Sequence, residues 1–216
     1  PQTEIAIVEM TNAFRKENTL QEVKPNRALT AAARAFAEYL ATTGKFAHEA
    51  DGREPGRRAA VQGYRYCQIA ENLALNLDSR GFETRALARE AVEGWKSSPG
   101  HRANMLLAGV TEIGVAVARA PNAHPKFISV QLLGRPEALK VKFAIENRAG
   151  SDVPYTLGEK EHTLPSHTIV THTACDAGQL SFDKAGAALR FDPRDGARFV
   201  VRAGKGGSVE VTADRK

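Results

Sequence analysis

The stretch Trp95-Lys96-Ser97-Ser98-Pro99-Gly100-His101-Arg102-Ala103-Asn104-Met105-Leu106 decides how this chain is read. Ser98 suits a helix N-cap, and Pro99 suits the first helical position, where no backbone donor is needed. His101 then falls in the first turn of a short helix. The positive end of a helix dipole disfavours a charged imidazole there, and a neutral imidazole can bind a metal or accept a proton. Met105 and Leu106 are expected to bury the other side and fix the angle at which His101 is presented.

Moving outward, Thr84 to Trp95 reads as a helix with Ala86, Leu87, Ala91, Val92 and Trp95 inward. Upstream, Tyr64 to Ala74 is mostly apolar and contains Ala70-Glu71-Asn72-Leu73-Ala74. The segment from Glu49 to Gly63 is polar, rich in Gly and Arg, and reads as a loop. Ala28 to Thr43 is a helix with a broad apolar face that includes Leu29, Phe36 and Leu40. Gly44 is its left-handed C-cap, and Phe46-Ala47-His48 follows. Thr3 to about Asn18 is a first amphipathic helix, with Arg15 among its polar positions. Downstream, Val110 to Ala118 alternates as a half-buried strand does, and Phe127 to Leu133 is its expected antiparallel partner. Helices first and strands after, without βαβ alternation, give an α+β domain over residues 1–135.

The character changes after Gly134-Arg135-Pro136. Short strands are expected at 139–146, 154–157, 168–173, 180–182, 188–191, 198–202 and 209–212, separated by turn signals such as Asp195-Gly196. They predict a small all-β domain, sandwich or barrel, over residues 136–216. His162, His167 and His172 are five apart, which puts neighbours on opposite faces if they share one strand.

The chain has 216 residues, 42% of them hydrophobic and 25% charged, with a net charge of +5. The basic residues do not cluster and have no interleaved aromatics, so nucleic acid is not an expected partner. No apolar run approaches the ~18 residues of a membrane span. No signal peptide is visible, and the start at Pro1 without Met is read as a processed or trimmed end from which a leader has been removed. Cys67 and Cys175 lack zinc-finger spacing. They are read as two buried thiols or as one long-range disulfide. A disulfide closing ~100 residues adds about 4–5 kcal/mol in the chain-entropy model and points to an oxidising compartment such as a periplasm.

Three polar residues, His48, Glu71 and His101, stand at the edges of apolar segments and are candidates for one cleft. A carboxylate between two imidazoles can complete a divalent-metal site, act as a general base, or satisfy buried imidazole donors.

The pieces quoted above, together with Asn12-Ala13-Phe14-Arg15 and Glu112-Ile113-Gly114-Val115-Ala116-Val117, occur in the order found in the CAP superfamily. These are the SCP-like domains of cysteine-rich secretory proteins, insect venom antigen 5 and plant pathogenesis-related proteins, and the chain resembles the bacterial members over residues 5–134. The resemblance implies an α-β-α sandwich in which His48, Glu71 and His101 converge in a surface cleft. Some relatives hold zinc or another divalent ion through the two histidines. Many eukaryotic members carry a second cleft glutamate three residues after the Trp; here that position is Ser98. The function expected is therefore a secreted or periplasmic binding module for a small-molecule, lipid or protein ligand, with a metal held by His48 and His101. The alternatives are a metal-assisted hydrolase, peptidase-like, with Glu71 as general base, and a lipid-binding protein.

Overall fold

In a computed structural model, the structure describes residues 1–78, 81–121, 125–182 and 189–214. The chain divides into two compact units, Pro1–Ala138 and Leu139–Lys216.

The first unit is built on a sheet of β1 (Lys24–Pro25), β2 (Tyr66–Leu77), β3 (Glu112–Arg119) and β4 (Lys126–Pro136), in the order β1-β3-β4-β2. β3 and β4 pair antiparallel, as the alternation predicted, and β2 lies antiparallel against the other side of β4. One face of the sheet carries α2 (Arg27–Thr43) over Leu73, Ile128, Val130 and Leu132. The other face carries α1 (Gln2–Glu17) and α4 (Thr84–Ser97), together with Met105 of α5 (Pro99–Met105), over Ile113, Val115 and Leu133. Apolar burial on both faces of one sheet gives the α-β-α sandwich.

Local chemistry sets where α2 begins and ends. The Asn26 side chain accepts from the amides of Ala28 and Leu29, and Gly44 caps the other end at φ 71°. A Cβ on Gly114 would stand 2.2 Å from the Leu29 backbone carbon, so the helix lies directly on β3. The polar stretch from Glu49 to Gly63 is not all loop. It contains α3 (Pro55–Val61), which opens on Pro55. Gly56 passes so close to the Tyr66 ring that no Cβ fits, which seats α3 against β2.

The second unit is a β-sandwich. Among the described residues, one sheet has the order β12-β11-β5-β8 and the other β10-β9-β6-β7. The strands are β5 (Val141–Arg148), β6 (Val153–Leu157), β7 (Lys160–Leu164), β8 (Ile169–Ala174), β9 (Leu180–Phe182), β10 (Leu189–Phe191), β11 (Arg198–Ala203) and β12 (Val209–Asp214). Ala188, where one strand was expected to start, lies outside the described residues. The strand β7 is too polar to be recognised by alternation alone. Phe143, Ile145, Tyr155, Leu164, Phe182, Phe199 and Val201 fill the space between the sheets. His162, His167 and His172 are not placed along one strand, so their five-residue spacing sets no common or opposite face. His162 and His172 belong to β7 and β8, in different sheets.

Candidate functional site

Glu71 stands on the edge strand β2, and its backbone is held before its side chain is considered. Asn104 of α5 donates to the Glu71 carbonyl at 3.1 Å, and Trp95 of α4 donates to the Leu73 carbonyl at 3.0 Å. Asn72, on the opposite face of β2 from Glu71, donates to the His101 carbonyl at 3.1 Å and to Gln131 at 2.9 Å. Gln131 in turn donates to Thr11 of α1 at 2.9 Å. Arg15, read from the sequence as one of the helix's polar positions, is fully buried. It donates to the carbonyls of Met105 at 2.7 Å and Leu107 at 2.9 Å, at the end of α5. Burial pushes the Arg15 guanidinium below its ordinary pKa. This network fixes α5, and with it His101, against the sheet edge. Ser98 occupies the N-cap position of α5 with Pro99 following, but its side chain makes no capping bond.

On the α2 side of the sheet, the Glu71 carboxylate is engaged at both oxygens. His48 Nδ1 lies 2.9 Å from Oε1, and Arg58 Nη2 of α3 donates to Oε2 at 2.7 Å. The same guanidinium donates to Asp51 at 2.9 Å and to the Arg53 carbonyl, and its carbon sits over the Phe36 ring, 3.5 Å from the centroid. The Glu71 side chain is 1% exposed and that of Arg58 4%, whereas that of His48 is 52% exposed. Burial lifts the Glu71 carboxyl above its usual range, with Arg58 and then His48 pulling against the lift. The His101 imidazole is held below its usual value by burial first and by nearby His48 second. The expected neutral imidazole therefore has burial and a like-charge neighbour as its causes, rather than the helix end alone.

Arg58 and Asp51 were not singled out by the sequence reading. The signal for α3 was Pro55 at a helix start, with Gly63 just beyond its end, but seven residues are too few to show a helical period.

The arrangement narrows the chemistry. A general base needs an oxygen that water can reach, and both Glu71 oxygens already have partners inside the protein. A divalent-metal site with open positions for water commonly uses three protein ligands. Among the described residues, no group of three or more His, Cys, Asp or Glu side chains is placed to hold a metal ion. With Arg58 neutralising Glu71 and Ser98 at the second-glutamate position, the donors that remain are two imidazoles, and the set does not fit that kind of site.

The α-β-α layers, with His48, Glu71 and Arg58 joined at the edge strand β2, define a known class. The family model described as the cysteine-rich secretory protein family, CAP, matches residues 8–132, more than half of the chain, and the chain belongs to this family. Two solved structures are similar to its first unit. One is an outer surface protein from Borrelia burgdorferi, at 18% identity and a TM-score of 0.54, covering 63% of this chain and 94% of that one. The other is an extracellular protein containing a SCP domain from Bacillus anthracis, at 21% identity and a TM-score of 0.50. That match covers 62% of this chain and 40% of the other. At these identities the likeness is one of fold. No curated protein matches the chain.

Cys67 and Cys175 are disulfide-bonded, and as the chain's two cysteines they form one bridge. Among the described residues, no helix is long and apolar enough to cross a membrane.

Proposed function

We propose that this chain is a secreted CAP-domain protein whose first unit works as a binding module. In this reading the cleft is a preformed recognition surface rather than a hydrolytic centre. The observation that carries the proposal is the Glu71 carboxylate, closed on one oxygen by His48 and on the other by the buried Arg58. Such a carboxylate sets the floor of a cleft and orients His48. His48 and His101 are then the groups offered to a ligand at the rim. The disulfide supports an oxidising compartment, and the two structural neighbours described as outer surface and extracellular proteins support secretion.

The test is an assay of the wild-type chain and Glu71→Gln against a broad panel of peptides and esters, with and without added divalent ions. The proposal expects no turnover that depends on Glu71. Turnover in the wild type that needs a divalent ion and disappears in Glu71→Gln establishes the metal-assisted hydrolase instead. Lipid recovered by organic extraction of the purified chain makes the ligand a lipid and leaves the binding role intact.

A further inference from the structure

The second unit carries a pair of titratable side chains that the cleft does not use. In one sheet, His172 of β8 is paired across the ladder with Phe143 of β5, and their rings stack at 5.2 Å. In the other sheet, His162 of β7 is paired with Tyr155 of β6, and these rings stack at 5.0 Å. The two cross-strand pairs meet between the sheets. The Tyr155 hydroxyl and His172 Nε2 are 2.8 Å apart, and the two imidazole centroids are 5.3 Å apart. Both histidines lie on edge strands, so the sandwich is closed on that side by these contacts.

We propose that His162 and His172 form an acid-sensitive latch: when both become imidazolium, the β7 and β8 edges of the two sheets part.

The pair is surrounded by uncharged rings. From β5 the neighbour is the Phe143 ring, which carries no charge. From β6 it is the Tyr155 phenol, and from β7 it is the other imidazole. Farther in, the Phe182 and Phe199 rings pack on Tyr155 and Phe143. Burial and the His162 imidazole are what act on His172, so a proton arriving there meets a like charge. Two like charges at this separation, partly shielded from water, repel strongly. An imidazolium can only donate a hydrogen bond, so the exchange of roles with Tyr155 is lost as well. Burial, and then His162, already hold the His172 imidazole below its usual value. The sign follows. The open state takes up protons that the closed state refuses, so closure is complete above the ordinary imidazole value and is lost as pH falls below it.

The experiment is amide hydrogen exchange on the full disulfide-bonded chain, read over residues 160–174 and corrected for the intrinsic pH dependence of exchange. The expected result is an opening equilibrium that rises about tenfold per pH unit below the ordinary imidazole value. In His162→Phe, which keeps a ring against Tyr155 and removes one charge, the rise ends at a higher pH, because only burial still holds His172 down. In His167→Ala, at an exposed residue in the turn between the two strands, it is unchanged. Imidazole NMR titration of the wild type gives a reading that no variant can spoil, with His172 expected to take its proton below the ordinary imidazole value. Protection over 160–174 that does not change with pH, or a His172 that titrates at or above the ordinary value, overturns the proposal.

Discussion

Two polar centres, one in each unit, handle buried ionisable groups in opposite ways. Around Glu71 each charge has an opposite partner. Arg58 joins Glu71 to Asp51, the Phe36 ring covers the guanidinium face, and His48 closes the remaining oxygen. Around His172 the partners are uncharged rings and a second imidazole, which do not neutralise an added proton. The first arrangement is a fixed element and expensive to break, because each member offsets the charge of the next. The second is stable only while its members stay neutral. The difference teaches that burial alone does not define a functional site; what matters is whether the partner of the buried group complements its charge.

The largest effect expected from breaking this comparison is Arg58→Met. It leaves the buried Glu71 carboxylate without its cation and Asp51 with Arg53 alone. Removing one partner of a buried pair costs about 3–5 kcal/mol, read as a fall in the urea midpoint at neutral pH. If the midpoint hardly moves, Arg58 is not what neutralises the cleft floor. Asn104→Ala comes next. It strips a donor from both the Glu71 carbonyl and Asn72 Oδ1, for about 1–3 kcal/mol, and should leave the second unit's exchange untouched. Tyr155→Phe removes the hydroxyl facing His172 and is expected to cost about 0.5–1.5 kcal/mol at neutral pH. Hydrogen exchange confined to the second unit is the way to see it. The smallest expected effect is a gentle loss of overall thermal stability as pH falls through the ordinary imidazole range. His101 and His172 are both held low in the folded chain, so unfolding takes up protons there. A melting temperature that rises over that interval contradicts the sign.

Much of the fold was legible because its signals are periodic. The α2 face, the β3 alternation and the Gly44 cap each follow from residue spacing. The contact of His48 with Glu71 was implied by family resemblance alone, since no spacing brings residues 48 and 71 together. Arg58 was hidden because α3 is short and lies in a polar stretch, and because an arginine earns burial only from partners that sequence does not place beside it. Arg15 was misread for the same reason: its helical position looks polar until the carbonyls after Met105 arrive to receive it. The strand β7 escaped because Lys160, Glu161 and Thr163 outweigh Leu164, and that omission also concealed the meeting of His162 with His172.

The binding role depends on the Glu71 carboxylate being neutralised by Arg58 and not by an ion. Zinc titration calorimetry of the metal-free wild type beside Glu71→Gln tests this most directly. The prediction is that zinc binding, however weak, is the same in the two proteins. Stoichiometric zinc binding by the wild type that Glu71→Gln abolishes would contradict it, because the carboxylate would then be serving an ion and not the guanidinium.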